Sequence, residues 1–312
     1  MLELADKLRT EADAYRLMEQ LRWGDGEPTC PHCANVGAVF IEPRNGVSRK
    51  TRTGAASERR VWRCRACRKQ FSVLTGTVFH GARVSLRLLV LVAFEMCASK
   101  NGISAREVER KYGVCPRTAW FLLHRVREAM DQASPVGKMV GTIAADETFI
   151  GGRNWNRHAS KRDNPPPKTP VLTLVNRTTG EARSRVIPNV RGRTLKRALQ
   201  EDVHISSVLH TDSWSGYRDF GAMVAEHHTV NHAEGEYVRD GKITSNHAEN
   251  FFSQLKRSLD GTHHHVSREH LHRYLAEFDY RFTTRALNDG DRMARVVRSV
   301  GGRRLTYKRI TA

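Results

Sequence analysis

Two pairs of cysteines constrain the fold of this 312-residue chain more than any other feature of its sequence. Cys30 and Cys33 form one C-x-x-C motif, Cys64 and Cys67 form a second, and the segment 34–63 separates them. Each motif can supply two thiolates to one tetrahedral ion, as in a zinc ribbon built from short β-hairpins. A redox-active C-x-x-C is the alternative, but two matched pairs without a βαβ pattern favour structural zinc.

The segment between the two motifs is longer than the loop of a common zinc ribbon. Apolar residues at 39–40 and 61–62 predict short strands on either side of a polar loop. We therefore expect an extended hairpin near residues 43–58. The remaining cysteines, Cys97 and Cys115, lie in helical patterns and are expected to be small buried hydrophobes.

The charge balance predicts an anionic partner. The chain has 52 Lys and Arg against 33 Asp and Glu, a formal net charge of +19 and an isoelectric point near 10.2. Nucleic acid is the commonest partner of a protein with such a positive electrostatic field. Acidic lipid or the ribosome is the alternative partner. The densest basic cluster surrounds the second cysteine pair: Lys50, Arg52, Arg59, Arg60, Arg63, Arg65, Arg68 and Lys69. This density on a small module favours phosphate contact over a merely solvated surface, above all for Arg63, Arg65, Arg68 and Lys69.

The sequence predicts a soluble, cytoplasmic protein without membrane contact. Its first residues are acidic and lack the apolar core of a signal peptide. The longest apolar run, residues 86–98, contains Arg87 and Glu95 and is shorter than the roughly 20 residues that span a bilayer. We expect it to form a buried helix, in a compartment that keeps the cysteines reduced.

Residues 103–130 contain the start and stop signals of two helices joined by a turn. Ser104 and Glu107 match a capping box, Gly113 ends the first helix and Pro116 begins the second. The expected shared core is Val108, Tyr112, Val114, Trp120, Leu123 and Val126. The residues expected on the exposed face of the second helix are Arg117, Thr118, His124, Arg125 and Arg127. This arrangement fits a helix-turn-helix whose second helix enters the major groove, although many helical hairpins never touch DNA.

From residue 139 onward, strand patterns alternate with helices. A strand at 141–145, a hairpin at 171–175 and 182–187, a helix at 194–200 and a strand at 207–212 precede a helix that begins at 246. Residues 153–168 are polar and proline-rich and are expected to form a loop. Three antiparallel strands, a helix, a further strand and a final helix follow the order of an RNase H-like core.

Three carboxylates in this half stand in contexts that can converge. Asp146 and Asp212 each end an apolar run, and Glu249 lies early in the helix that begins at residue 246. Converging carboxylates are the oxygen ligands that divalent metals prefer, and on a basic protein they indicate chemistry on a phosphodiester. Asn246, three residues before Glu249, is an alternative third ligand, whereas Glu147 is expected to point to the opposite face of its strand.

Several motifs resemble the zinc-ribbon DDE transposases of bacterial insertion sequences, the ISXO-like group. They are FSVLTGTVF at 71–79, DETFIGG at 146–152, TDSWSGY at 211–217, NHAENFFSQLKR at 246–257, GTHH at 261–264, HLHRYLAEF at 270–278 and Arg281. The resemblance covers roughly residues 12–287. It implies that Asp146, Asp212 and Glu249 are the three metal-binding acids. One departure is Thr283, where the family pattern leads us to expect Asn.

The resemblance also implies an α+β multidomain architecture. We expect an N-terminal helix at 1–25, a zinc ribbon at 26–80, a helix-turn-helix DNA-binding domain at 84–132, an RNase H-like DDE catalytic domain with a mixed sheet and flanking helices at 139–287, and a basic C-terminal tail at 288–312. This segment is expected to be a basic helix and tail that binds DNA nonspecifically or is simply solvated. Its basic residues are Arg292, Arg295, Arg298, Arg303, Arg304, Lys308 and Arg309.

The implied function is transposition. Structural Zn²⁺ and two catalytic Mg²⁺ or Mn²⁺ ions would support cleavage and transfer of double-stranded DNA, by a dimer or higher oligomer near the bacterial nucleoid. Lys256 and Arg257 would hold DNA phosphate or be solvated, and His264 would lie near the scissile phosphate. The alternatives are a catalytically silent DNA-binding regulator of transposase origin and a metal-dependent nuclease without joining activity.

Overall fold

The computed structural model describes residues 6–42, 50, 57–151, 167–230, 246–302 and 304–311, without the side chains of Asn246 and Arg309. The chain is α+β and divides into two compact units. The first unit comprises Met1–Ser99, Ile103–Ala133 and Leu287–Ala312, and the second comprises Lys100–Gly102 and Ser134–Ala286.

The first unit contains a small antiparallel sheet behind a helix, α1 (Glu11–Trp23). Its strands are β1 (Ala38–Phe40), β2 (Trp62–Cys64) and β3 (Gln70–Phe71), in the order β1-β2-β3. The pairs run from Ala38↔Cys64 to Phe40↔Trp62, so the short strands predicted on either side of the polar loop are present. Most of the extended hairpin expected between them, residues 43–49 and 51–56, lies outside the described residues.

Three helices follow in the first unit: α2 (Leu86–Ala98), α3 (Ala105–Tyr112) and α4 (Pro116–Gln132). The apolar run forms α2 and is buried along most of its length, as predicted. The Ser104 hydroxyl accepts the Glu107 N–H at 3.1 Å, Gly113 is left-handed with φ of 64°, and Pro116 opens α4. No helix in the described part of the chain is long and apolar enough to cross a membrane.

The exposure predicted for α4 is wrong at three positions. His124, Arg125 and Arg127 are 0%, 6% and 1% exposed, because α4 is packed against neighbouring helices that include α2 and α3. The Arg125 guanidinium stacks 4.2 Å from the Phe121 ring centre and donates to the His80 carbonyl at 3.3 Å. Burial lowers the pKa of Arg125 to about 10. Arg125 therefore supports the interior of this unit instead of facing a groove of DNA.

The two isolated cysteines have different environments. Cys97 is fully buried in α2, as predicted, whereas Cys115 is exposed, because it occupies the N-cap of α4.

The second unit is built on a five-stranded mixed sheet. Its strands are β4 (Thr142–Ile150), β5 (Thr169–Asn176), β6 (Ala182–Val186), β7 (Val208–Asp212) and β8 (Glu226–Val230), in the order β6-β5-β4-β7-β8. β4, β5 and β6 are antiparallel neighbours, whereas β7 runs parallel to β4 and β8 runs parallel to β7. The sequence pattern predicted β4 to β7, whereas β8 was not predicted.

Helices cover both faces of this sheet. One core contains Ile143, Ala145, Leu172, Leu174 and Leu209 of the sheet against α5 (Gly192–Asp202) and α6 (Arg218–Gly221). The other contains Val171 and Val175 against α7 (Asn246–Ser258) and α8 (Arg268–Thr283). Because successive strand residues alternate between faces, odd positions of β4 face α5 and even positions face α7.

The edge strand β6 is covered by side chains of α8. Asp279 accepts the Ser184 N–H and hydroxyl, each at 2.7 Å, and the Thr283 hydroxyl accepts the Ala182 N–H at 3.0 Å. Asp279 and Thr283, one turn apart on α8, thus accept the N–H groups of Ser184 and Ala182, which are two residues apart on β6. Capping of this kind protects an edge from pairing with another chain. Thr283, the departure from the family pattern, has a definite structural role here.

The C-terminal segment, expected to be a basic helix and tail, is helical over much of its length. Residues 289–298 form helix α9 (Asp289–Arg298), and α10 (Tyr307–Thr311) follows. Met293, Val296 and Val297 are nearly fully buried in the first unit, because their spacing gives α9 an apolar stripe, and Val300 is buried just beyond the helix. Arg292 and Arg295 donate to the carbonyls of Cys97 and Ala133. Arg303 and the Arg309 side chain lie outside the described residues.

Thr283→Val should destabilise the second unit by about 1–3 kcal/mol, because the buried Ala182 N–H loses its acceptor while the side-chain volume stays similar. Thr283→Ser keeps the hydroxyl and serves as the control. Urea denaturation of the purified variants measures the difference. Equal stability of the Val and Ser variants would show that the edge contact contributes nothing.

Candidate metal centre and acidic site

The four cysteines converge on one point. Their sulfur atoms all lie within 4.8 Å of one another, with Cys30 Sγ 3.6 Å from Cys67 Sγ and Cys33 Sγ 3.7 Å from Cys64 Sγ. In a tetrahedral Zn–S₄ centre with bonds of about 2.3 Å, the sulfur–sulfur edge is about 3.8 Å. The spacing and the all-thiolate donor set fit Zn²⁺, so the predicted ligand set is brought together.

Two equivalent turns present these sulfurs. The Ala34 N–H donates to the Cys30 carbonyl at 2.9 Å, and the Arg68 N–H donates to the Cys64 carbonyl at 3.1 Å. Ala34 and Arg68 both adopt left-handed backbone, with φ of 57° and 59°. The two motifs are therefore matched in conformation as well as in sequence, as expected when each supplies half of one site.

An ion pair from α1 supports the centre. Glu19, 8% exposed, accepts from Trp62 Nε1 at 2.8 Å and pairs with Arg60 Nε at 2.7 Å. The Trp62 ring packs edge-on against Trp23, which also contacts Phe71. These contacts hold β2, and with it Cys64, against the helix.

One surface of this module is basic and open to solvent. Arg63, Arg65, Arg68 and Lys69 are all exposed, as predicted, whereas neighbouring Arg60 is engaged with Glu19. Within the described residues, no ion pair involves any of these four side chains. The basic face, as we call these four residues, is free to meet an anion.

In the second unit, strand register brings Asp146 and Asp212 side by side. The parallel pairing of β4 with β7 runs from Thr142↔Val208 to Ala144↔His210. Asp212 follows Asp146 in the chain by the same number of positions as Val208 follows Thr142. The two aspartates come two residues after the last pair, so they lie on the same sheet face. Asp146 Oδ1 accepts the Glu147 N–H at 2.8 Å, and Asp212 Oδ1 accepts the Trp214 N–H at 3.0 Å.

Glu249 lies on the helix that covers this face. Ala248, Phe251 and Leu255 are nearly fully buried against the sheet, and Glu249 is exposed on the first turn of α7. Among the described residues, only the cysteine set brings three or more ligand-type side chains within 4.8 Å. Glu249 is thus placed on the helix that covers this face, and the described residues do not bring all three carboxylates within 4.8 Å of one another.

Four other sequence-predicted residues lie on or near α7. Lys256 and Arg257 are exposed in its last turn, and the Arg257 guanidinium donates to the Ser253 hydroxyl at 2.9 Å. His264 is exposed with φ of 57°, directly after a π-helical turn, Leu259–His263, and its Nδ1 lies 2.9 Å from the Asp260 carbonyl oxygen. The Asn246 side chain lies outside the described part of the chain.

A buried hydrogen-bonded pair beside the two aspartates was not predicted from the sequence. The Tyr217 hydroxyl, fully buried in a 3₁₀ turn (Ser215–Tyr217), donates to Glu147 Oε2. Glu147 lies on the opposite strand face from Asp146, as predicted, and it is partly buried. Burial raises the pKa of Glu147 to about 7, and the charges of Asp212 and Asp146 add to the rise. The signal available was Tyr217 itself, at the end of the TDSWSGY motif.

Comparison with known proteins gives two domain matches. Residues 138–283 match the ISXO2-like transposase domain, and residues 9–70 match the transposase zinc-ribbon domain. Together the matches cover about two thirds of the chain. They include Asp146 and Asp212 with Glu249 in one domain, and all four clustered cysteines in the other.

Two relatives are similar in sequence. An uncharacterized protein in transposable element ISH50 of Halobacterium salinarum is 26% identical over 290 residues, 87% of this chain and 90% of the relative. An uncharacterized transposase-like protein of Haemophilus influenzae is 29% identical over 97 residues, 31% of this chain and 76% of the relative.

The purified protein should contain one zinc ion per chain, and Cys64→Ser should remove it. Because zinc and the folded ribbon stabilise each other, loss of the ion should unfold β1 to β3. Elemental analysis and circular dichroism provide the measurements, with Cys115→Ser as the control outside the cluster. Retention of zinc by Cys64→Ser, or zinc-free wild type of native stability, would contradict this assignment.

Proposed function

The chain belongs to the insertion-sequence transposases that join a transposase zinc ribbon to an ISXO2-like domain, and we propose that it binds the ends of an insertion sequence and cleaves and joins DNA through Asp146, Asp212 and Glu249. The observation that carries the catalytic proposal is the register of β4 with β7. Asp146 and Asp212 have the same offset along the chain as the paired residues of these two strands.

The sheet topology supports an RNase H-like catalytic domain at about residues 139–287. An antiparallel meander of three strands is extended by two parallel strands, in the order β6-β5-β4-β7-β8, with helices on both faces. In open sheets of this kind, sites form beyond the carboxyl ends of parallel strands. Asp146 and Asp212 lie toward that end of the β4–β7 pairing.

The residues of this site fit hard divalent cations. Oxygen donors are the ligands that Mg²⁺ and Mn²⁺ prefer, and Asp146, Asp212 and Glu249 supply only oxygen. When bound, two such ions about 3.5–4 Å apart would activate the attacking oxygen and stabilise the leaving oxygen of a phosphodiester. Asp146 and Asp212 hold the fixed side of the site, and Glu249, on the covering helix, completes it.

The first unit is proposed to recognise DNA. The basic face beside the zinc centre offers four exposed cations for phosphates, and the α3–α4 pair has the spacing of a helix-turn-helix. Arg117 is exposed at the start of α4 with Thr118 beside it, whereas buried Arg125 is removed from the proposed contacts. Lys256 and Arg257 would hold phosphate near the catalytic acids.

We also propose that the active species contains at least two chains. Movement of an insertion sequence requires two ends to be held and cut, and one chain supplies a single set of the three carboxylates. The partners are therefore double-stranded DNA and further copies of this chain.

Asp146→Asn, Asp212→Asn and Glu249→Gln should each lower end cleavage and strand transfer by more than about a hundredfold, because changes around metal ligands alone cost 10–100-fold. Labelled terminal repeats, a target plasmid and Mg²⁺ provide the assay. Asp219→Asn, an exposed acid in α6, is the matched control. Nicks without joined products would indicate a nuclease, and retarded intact DNA would indicate a silent binder.

Arg63→Gln and Lys69→Gln should each weaken DNA binding and reduce the slope of log K against log salt by about 1, because each loses one phosphate contact. Arg9→Gln removes an exposed arginine of the same unit that pairs with Asp6 at 3.8 Å, and it should leave the slope unchanged. Fluorescence anisotropy at several salt concentrations measures these slopes. Equal slopes for all three variants would remove the basic face from the DNA interface.

A further inference from the structure

We propose that Tyr217 and Glu147 are positioning residues that fix Asp212 relative to Asp146, and so set the spacing of the cations that these carboxylates hold. The inference rests on the proposed function for its catalytic meaning. Its structural basis is a continuous path of hydrogen bonds between the two carboxylates.

The need for such a pair follows from where the strand pairing stops. The described pairs of β4 with β7 end at Ala144↔His210, two residues before the aspartates. β4 then continues to Ile150 beside β5, and β7 ends at Asp212. The β4–β7 ladder therefore sets the register of the two carboxylates but ends before the positions where they stand. Each aspartate is paired there only with its outer neighbour, Asp146 with Thr173 of β5 and Asp212 with Val230 of β8.

The hydrogen-bond path bridges this gap. Asp212 Oδ1 accepts the Trp214 N–H at 3.0 Å, and the Trp214 carbonyl accepts the Tyr217 N–H at 3.2 Å. The Tyr217 hydroxyl donates to Glu147, whose own N–H donates to Asp146 Oδ1 at 2.8 Å. Each link is one direct hydrogen bond, and the links are joined through the Trp214 backbone and through the side chains of Tyr217 and Glu147.

Packing keeps the connecting turn in place. Tyr217 is 0% exposed and belongs to the core formed with α5. A Cβ on Gly216 would lie 2.6 Å from Trp214 Nε1 and 3.0 Å from Leu195, so a larger residue there would displace the Trp214 side chain. Gly192, at the start of α5, similarly approaches the Gly216 carbonyl. The 3₁₀ turn is thus packed against α5, and this packing fixes the orientation of the Tyr217 side chain.

The roles within the pair are defined by chemistry. Burial raises the pKa of Tyr217 well above its usual range, so the phenol remains protonated and donates. Glu147 has an acceptor oxygen whether it is charged or neutral. Its neutral analogue, glutamine, keeps an acceptor at the same place, whereas leucine does not. Substitutions can therefore separate the hydrogen bond from the charge of Glu147.

Tyr217→Phe and Glu147→Leu should each weaken Mn²⁺ binding by about tenfold and raise the Mg²⁺ concentration for half-maximal cleavage by a similar factor, as for other residues that orient ligands. Glu147→Gln should retain affinity within about threefold of wild type, because the acceptor persists. KM for DNA should be unchanged. Titration calorimetry of the full-length protein with Mn²⁺ measures the affinity without reference to activity, after saturation of the cysteine site with Zn²⁺.

Tyr15→Phe is the matched control, because Tyr15 is buried in the first unit. A loss of metal affinity by Tyr217→Phe and Glu147→Leu with native melting temperatures supports the inference. Wild-type affinity in Tyr217→Phe, or equal losses in Glu147→Gln and Glu147→Leu, overturns it. If wild-type protein binds Mn²⁺ yet never cleaves DNA, the proposed function fails, and the calorimetric comparison still decides the positioning role.

Discussion

The second unit depends on the parallel pairing of β4 with β7. This pairing determines that Asp146 and Asp212, which are distant in the chain, stand together at one end of the sheet. A shift of the register by one residue would turn every side chain of one strand to the opposite face. A shift of β4 would remove Ile143 and Ala145 from the core that they form with α5, and a shift of β7 would remove Leu209. Hydrophobic burial and carboxylate placement are thus enforced by the same register.

The first unit is organised around acidic side chains of α1. Glu19 joins Trp62 and Arg60 to the helix and so supports the strand that carries Cys64. Glu11 accepts the N–H groups of Leu86 and Arg87 at the start of α2, at 2.5 and 3.0 Å. One helix therefore links the zinc centre to the helical core. This organisation leaves Arg63 and its basic neighbours on the surface, because the buried contacts of the module use other residues.

Local patterns predicted the parts of the fold that short-range chemistry determines. The cysteine spacing predicted the metal cluster, and Ser104, Gly113 and Pro116 predicted the bounds of two helices. The strand β8 was missed because its sequence, Glu226–Val230, is polar except at Val230 and resembles a surface segment. Burial of Arg125 and Arg127 was missed because it depends on the packing of α2 and α9 against α4, which one helical pattern cannot reveal. The contact of Tyr217 with Glu147 was missed because it joins residues far apart in the chain.

The central claim is that Asp146, Asp212 and Glu249 form one divalent-cation site, and anomalous scattering from crystals of the DNA complex grown with Mn²⁺ tests it most directly. The account predicts two Mn²⁺ peaks about 3.5–4 Å apart, both touching Asp146 or Asp212, with Glu249 bound to one of them. Mn²⁺ peaks elsewhere, or DNA bound in the site with Glu249 turned away from the metal, would contradict it.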